Sequence, residues 1–253
     1  MVREWDMTVM GNQQNYLYKA AMYQESANYN TNRNHHSFNS VNRLKGTNEA
    51  SRSAMVADHH PIHSATMPSS LRFLHFAKNM PSVDVYVDDV LIANDFSYSY
   101  FNHYLSMPSG KHQIDLTPAG DSTTSILSKK IILQPGRWYT LAATEKSEKQ
   151  KLLAFEDQPY VPAGESKLRF LHLSPHLGDL DIAVKSRDVI FPELKFKGST
   201  SYLGITPMKL DLEGRSPKNQ HVVLSPDTLV LEPNITYTAI ISDEEVLLLR
   251  DII

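Results

Sequence analysis

Hydrophobic and polar residues alternate in short runs from about residue 70 to the end of the chain, and turn residues separate these runs. The stretch VDVYV, Val83–Val87, shows the pattern best: its valines share one face of a strand, while Asp84 and Tyr86 point to the other. Such runs are typical of strands in antiparallel sheets. In the first half of this region we expect strands at residues 71–76, 83–87, 90–93, 112–117, 128–133, 138–144 and 152–155.

An internal repeat organises this region. The pentapeptide LRFLH occurs at residues 71–75 and again at 168–172, which is 97 positions later. Further matches follow in the same order: VDVYV with LDIAV at an offset of 97, HYL with SYL at 98, and LQPGRWYTLAA with LEPNITYTAII at 98. The C-terminal segments of the two copies, KLLAFED and VLLLRD, also agree. Ordered matches with almost no drift predict two copies of one module.

The repeat predicts an all-β protein that contains two tandem immunoglobulin-like β-sandwich modules, each with its own core. We expect the first copy at residues 70–158 and the second at 167–253. The linker between them, residues 159–166, contains two prolines and a glycine and is therefore short and rather stiff.

Residues 1–69 differ from the rest and predict a polar N-terminal arm. They contain nine asparagines and five of the chain's eleven histidines, with too few apolar residues to close a core. The arm is expected to be partly disordered or to form one short helix that begins near Asn12. Its apolar side chains need a surface to cover, and we expect the anchors to be Trp5, Tyr16, Leu17, Ala20 and Tyr23.

Composition excludes several classes of protein. A formal net charge of −3 with scattered Lys and Arg argues against nucleic acid as a partner. No apolar run is long enough to span a bilayer, and the first residues lack the apolar segment of a secretory signal. Without cysteine, disulfides and thiolate metal sites are excluded. We expect synthesis in the cytoplasm, with the spore coat or the cell surface as destinations.

The repeated segments resemble a known bacterial family, the domain of unknown function 4397. The resemblance lies in LRFLHFAKNMPSVDVYVDD, YLSMPSGKHQIDLTPAG and LQPGRWYTLAA of the first copy, and in LRFLHLSPHLGDLDIAV of a more divergent second copy. It covers nearly all of residues 70–253 and none of the arm. It implies a β-sandwich module of bacterial surface or envelope proteins with no established activity, so it supplies no catalytic residues. Ala77-Lys78 depart from the family-like Ser174-Pro175 of the second copy.

Two His–Asp pairs recur at equivalent positions, His75 with Asp84 and His172 with Asp181. A carboxylate that orients an imidazole suits acid–base chemistry. However, no nucleophile motif accompanies the pairs, and both copies keep them. We therefore expect a structural hydrogen bond within each pair, and no catalytic residue.

Two further clusters carry candidate binding chemistry. The sequence DHHPIH brings together His59, His60 and His63, a weak metal candidate because Pro61 disfavours a helical presentation; we expect no cofactor and no specific metal. Five aromatic residues follow in the first copy. They predict either core packing or an interaction surface for sugars or another protein chain, and they are Phe96, Tyr98, Tyr100, Phe101 and Tyr104.

The sequence thus favours a non-enzymatic structural or protein-interaction component of a bacterial envelope, spore coat or other multi-protein layer. Protein partners or self-association are expected. The alternative is a surface module that binds carbohydrate or another ligand through the aromatic stretch of the first copy.

Overall fold

A computed structural model describes residues 67–121, 123–147 and 149–251, and the regular elements in these ranges are all β-strands. The predicted arm helix and arm anchors lie outside the described residues. From Pro68 onward the chain forms one compact unit that contains both copies of the repeat. None of the described residues forms a helix long and apolar enough to cross a membrane.

The first copy contains the seven predicted strands, most of them longer than expected, and one short strand more. The bounds are β1 (Ser69–Phe76), β2 (Val83–Val87), β3 (Val90–Phe96), β4 (Leu105–Met107), β5 (Gly110–Pro118), β6 (Leu127–Leu133), β7 (Trp138–Lys146) and β8 (Lys149–Asp157). The unpredicted strand, β4, lies at a sheet edge and is only three residues long, so it has no visible alternation.

The strands of the first copy form a sandwich of two four-stranded sheets, in the orders β4-β1-β7-β8 and β3-β2-β5-β6. Its core fills the space between the sheets. Val83, Val85 and Val87 are all buried there, which confirms the face predicted from VDVYV. Strand β1 begins at Ser69, one residue before the expected boundary.

The second copy repeats this sheet order with two of the strands divided. Its bounds are β9 (Ser166–His172), β10 (Leu180–Val184), β11 (Val189–Leu194), β12 (Leu203–Ile205), β13 (Met208–Leu210), β14 (Leu212–Arg215), β15 (Val222–Leu224), β16 (Leu229–Leu231), β17 (Ile235–Ile241) and β18 (Val246–Arg250). The sheets are β12-β9-β17-β18, β11-β10-β14-β15 and β13-β16. The counterpart of β6 is split into β15 and β16 around Pro226, which has no amide hydrogen for strand pairing.

Each copy contains one parallel strand pair, which the sequence did not predict. Strand β1 pairs parallel with β7, from Ser70 opposite Trp138 to Phe76 opposite Thr144, and β9 pairs parallel with β17. The first and the penultimate strand of a copy can lie side by side in the same direction because the rest of the copy connects them. The remaining pairs are antiparallel, as expected.

Both faces of β1 and β9 are buried, which explains the repeated LRFLH. Leu71 and Phe73 face the core of the first copy. Leu74 and Phe76 face the other way, into an apolar cluster that the two copies share. Strand β9 divides its residues in the same manner between the second core and the shared cluster. The sheets that contain these strands, β4-β1-β7-β8 and β12-β9-β17-β18, therefore pack on each other as the two inner sheets. The unit is a stack of four β-layers.

The predicted hydrogen bonds within the His–Asp pairs are corrected by the structure. Nε2 of His75 donates to the Pro81 carbonyl at 3.2 Å, and Nε2 of His172 donates to the Gly178 carbonyl. Each imidazole thus fixes the loop six residues ahead of it. Burial lowers the pKa of both histidines, although the bonds to the carbonyl groups partly oppose this.

The aspartates of these pairs bind a bulge on the neighbouring strand instead. Oδ1 of Asp84 accepts the N–H of Asp95 at 2.9 Å, and Oδ1 of Asp181 accepts the N–H of Glu193 at 2.8 Å. Asp95 and Glu193 both have a φ of 49°, which breaks the regular ladder and leaves their amides in need of an acceptor. The histidine and the aspartate of each predicted pair thus bind different elements.

We predict that acid destabilises the protein through these two buried histidines. Their pKa is lower in the folded chain than the ordinary value of about 6.5 that applies to the unfolded chain. The unfolded state therefore takes up protons first as the pH falls, so the free energy of unfolding should decrease below about pH 6.5 and continue to decrease until the folded-state pKa values are passed. Thermal unfolding at pH 8.0, 6.5 and 5.0 measures this.

His75→Gln and His172→Gln should each lower the unfolding midpoint at pH 8, because each removes a buried hydrogen bond worth about 1 kcal/mol. Together they should flatten the dependence on pH. His221→Gln is the matched control, since His221 is exposed. Equal pH dependence in the double variant and in the natural chain would show that other groups cause the acid effect.

Candidate functional site at the interface between the copies

Two ion pairs lie buried between the copies, and each joins an arginine of one copy to an aspartate of the other. Arg72 Nη2 lies 2.7 Å from Oδ1 of Asp251, and Arg169 Nη2 pairs with Oδ1 of Asp157. None of these four side chains is more than 3% exposed. The arginines stand at the same position of LRFLH, and the aspartates occupy equivalent places at the end of the last strand of each copy.

Threonine hydroxyls complete the two ion pairs in the same way. Thr140 Oγ1 donates to Oδ2 of Asp157 at 2.6 Å, and Arg72 Nε donates to Thr140 Oγ1 at 2.8 Å. In the second copy Thr238 Oγ1 donates to Oδ2 of Asp251 at 2.7 Å and accepts from Arg169 Nε at 3.0 Å. Each threonine thus connects its copy's arginine and aspartate.

Two tyrosines cover the network. The hydroxyl of Tyr104 donates to Asp157 at 2.7 Å and that of Tyr202 to Asp251 at 3.1 Å. Their rings lie against the guanidinium groups of Arg72 and Arg169, at 4.6 and 4.7 Å from ring centre to Cζ. Burial raises the pKa of both tyrosines, which keeps both hydroxyls protonated as donors.

The resulting network is built from equivalent residues of the two copies, and its two ion pairs are reciprocal. It is defined by the pairs Arg72/Arg169, Thr140/Thr238, Asp157/Asp251 and Tyr104/Tyr202. Burial raises the pKa of Asp251, while Arg72 and Arg169 act in the opposite direction. Two guanidinium groups balance two carboxylates, so no net charge is buried. Most of its donors and acceptors bind each other, while Oδ1 of Asp251 faces Arg72 Nη2 in the ion pair and accepts no hydrogen bond from the described residues. This arrangement suits positioning rather than acid–base chemistry.

Sequence reasoning missed this network, although the repeat contained a signal for it. An arginine between the apolar residues of LRFLH recurs in both copies, and so does an aspartate near the end of each copy, in FED and LRD. A charged residue repeated inside a strand that is buried on both faces needs an equally repeated partner.

The predicted aromatic surface is dispersed by the fold. Phe96 belongs to the core of the first copy, and Tyr104 belongs to the network. Strand β3 turns Phe96 inward, and the ring of Tyr104 lies against the Arg72 guanidinium group. Tyr98 is partly buried against Phe76. Tyr100 and Phe101 remain at the surface, at 39% and 38% exposure.

A cleft of about 360 Å³ opens beside Tyr98, where loops of both copies meet. The first copy contributes Phe76, Tyr98 and Glu145, and the second contributes His176 and Asp243. Asp243 is fully engaged, because it accepts from the Ser174 hydroxyl and lies 2.9 Å from His176 Nδ1.

Glu145 is the unusual group of this cleft. Its side chain is buried, with only 4% of the residue exposed, and Oε1 accepts the N–H of Asn79 at 2.6 Å. Oε2 is buried as well and has no hydrogen-bond partner among the described residues. A buried carboxylate oxygen without a donor is costly, so a hydrogen-bond donor that reached it would stabilise the protein.

Metal binding finds no support in the part of the chain that the structure describes, where no three His, Asp or Glu residues are placed to share an ion. The candidates His59, His60 and His63 lie outside the described residues.

Comparison with known proteins adds a family match and a distant structural likeness. No curated protein matches the chain. Among solved structures, the one titled "The Bacillus anthracis TIE protein" is 10% identical with a TM-score of 0.24; the likeness covers 72% of this chain but only 34% of that one. The chain thus spans about a third of that protein.

The family model of DUF4397, a domain of unknown function, matches residues 69–183, so it includes the first copy and ends in β10 of the second. Residues 69–183 of this chain are therefore similar to the DUF4397 domain, and the second copy is related to the first by its sheet order rather than by a family match of its own.

Proposed function

We propose that the protein is a non-enzymatic structural or protein-interaction component of a bacterial envelope, a spore coat or another multi-protein layer. The observation that carries this proposal is the buried network, in which each copy neutralises the charge of the other. Such pairs hold the two sandwiches in one relative arrangement, since any other arrangement leaves a charge unpaired away from water. A layer component needs a fixed shape, because small errors in orientation add up along an assembly.

The outer sheets of the second copy supply a surface that supports protein contacts. Strand β15 forms the edge of its sheet, and its Val222 and Val223 are 50% and 42% exposed. Met208 in β13 and Val230 in β16 are exposed as well. Exposed valines on an edge strand favour pairing with another chain.

A second function is favoured by one observation, the incompletely hydrogen-bonded Glu145 carboxylate among the residues that line the cleft beside Tyr98. In this alternative the cleft binds a carbohydrate or a similar polar ligand. A sugar hydroxyl donates to the Glu145 carboxylate, and the sugar ring covers the aromatic face of Tyr98. Of the five residues of the predicted aromatic surface, only Tyr98 lines this cleft.

Removal of residues 1–66 should abolish self-association in dilute solution and leave the unfolding of the two copies unchanged. The cut is placed before Pro68, whose carbonyl accepts from Gly136, and before Ser69, which bonds the Gln134 carbonyl at 2.7 Å. Calorimetry should give a midpoint within about 2 °C of that of the full chain, because ordinary surface changes alter stability by less than about 0.5 kcal/mol. Light scattering measures the mass.

Full-length Tyr16→Ser/Tyr23→Ser is the matched control, because it keeps the length of the arm and removes two predicted anchors. It should weaken the association without abolishing expression of the folded unit. A natural chain that stays monomeric at every concentration would contradict the structural proposal. A shortened chain that assembles as before would instead assign the contacts to the β-copies.

The alternative predicts that glycan binding depends on the cleft. Glu145→Gln should weaken binding of a glycan selected on an array by about tenfold, since one hydrogen bond to a charged acceptor is worth about 1.5 kcal/mol or more. Tyr98→Ala should weaken it further. Tyr100→Ala is the control, because Tyr100 belongs to the same stretch but does not line the cleft.

Isothermal titration of the three variants separates the two functions. If no glycan binds the natural chain, or if Tyr100→Ala is as harmful as Tyr98→Ala, the cleft is not a carbohydrate site.

A further inference from the structure

We propose that the protein assembles by exchange of its two copies between molecules. The face through which the two copies of one chain contact each other would then bind the matching face in a second molecule of the same chain. The inference deepens the proposed structural function and rests on it, because it names the partner of one surface. Copy one of one chain would then pack on copy two of another with the contacts already described.

The polar part of the face is reciprocal. Arg72 of the first copy bonds Asp251 of the second, and Arg169 of the second bonds Asp157 of the first. The arginine of each copy therefore contacts the aspartate of the other. Such reciprocal contacts between equivalent residues are the signature of an isologous interface. Nothing in these contacts requires the two copies to belong to one chain.

The apolar part of the face obeys the same symmetry. In β1 and β9, Leu74 corresponds to Leu171, and in β7 and β17, Ala142 corresponds to Ile240; all four are buried in the shared cluster. In the last strands the correspondence is shifted to 94 positions, as it is for the two aspartates. There the cluster receives Leu153 and Phe155 from β8, and Leu247 and Leu249 from β18.

The linker determines which arrangement forms. Residues 158–165 connect β8 to β9 and are tied to the second copy, since Thr236 Oγ1 donates to the Pro159 carbonyl and the Gly164 amide donates to Asn234 Oδ1. Eight residues reach at most roughly 28 Å when extended. A tether of this length gives the attached copy an effective concentration in the millimolar range, so the closed chain prevails in dilute solution.

Exchange becomes competitive when chains are concentrated, as they are in a layer, because it replaces each contact by an identical one. Two chains that exchange reciprocally form a closed dimer. Chains that exchange in sequence form an open filament, since each first copy pairs with the second copy of the next chain.

A complementation experiment with full-length chains tests the exchange. One chain carries Arg72→Met and the other carries Asp251→Asn. Each variant alone leaves one member of a buried ion pair without its partner, and its unfolding midpoint should decrease by roughly 10 °C. In an exchanged dimer of the two, one interface keeps the intact Arg72–Asp251 pair, and the other has lost both members. No lone charge remains in either interface.

The two variants are unfolded, mixed in equal amounts, refolded, and measured by light scattering and thermal unfolding. We expect a species of twice the monomer mass that contains both variants and melts above each of them. The same two substitutions within one chain are the control, and this double variant should melt above both single variants as a monomer. A mixture that stays monomeric and melts as the sum of its parts would overturn the proposal.

A second variant covers the case in which the single variants fail to refold. Deletion of residues 160–163 from the otherwise natural chain shortens the tether but keeps the hydrogen-bonded Pro159 and Gly164. This chain should form dimers or larger species with a native-like midpoint, whereas insertion of ten Gly and Ser residues at the same place should not. A stable monomer with the shortened linker contradicts exchange. Assembly of the natural chain in the same measurements would then uphold the structural function without it.

Discussion

Two guanidinium groups lie out of water between the sandwiches, and the charge of each is balanced by a carboxylate of the opposite copy. The energetic consequence is asymmetric. An intact buried pair adds little net stability, because the loss of hydration offsets most of the attraction, whereas a pair that loses one member costs several kcal/mol. The network therefore contributes mainly by excluding other arrangements of the copies, while the shared apolar cluster around Leu74 and Leu171 supplies the attraction.

The contact between the copies, made by the polar network and the apolar cluster together, explains why the inner sheets contain strands that are buried on both sides. A strand in an ordinary sandwich has one face toward the core and the other toward water. In β1 and β9 the second face is covered by the other copy, and the strand lies between two neighbours within its own sheet. Parallel pairing with β7 and β17 fits such a buried position, because parallel strands are mostly found covered on both faces.

The sequence predicted most of the strands because one-sided burial leaves an alternating pattern that can be read directly, as in Val83–Val87. It did not predict β4, since three residues at an edge carry too little pattern. It assigned the histidines to the wrong partners, because an offset of nine residues says nothing about which loop carbonyl, such as that of Pro81, folds back over the ring. Arg72 and Arg169 escaped notice for a further reason: a charged residue in a strand is ordinarily expected to face solvent. Their recurrence in both copies was the signal that could have revealed their burial.

The distance along the chain between Arg72 and Asp251 has a consequence for biosynthesis. The two residues are 179 positions apart, so at about 5–20 residues per second the ribosome adds the aspartate roughly 10 to 35 seconds after the arginine. For the last 94 of these positions, after Asp157 has been added, the first sandwich has all of its own core strands but no counter-charge for Arg72 on its inner face. On a polysome, the completed second copy of a neighbouring nascent chain can present that counter-charge before the chain's own second copy has been translated.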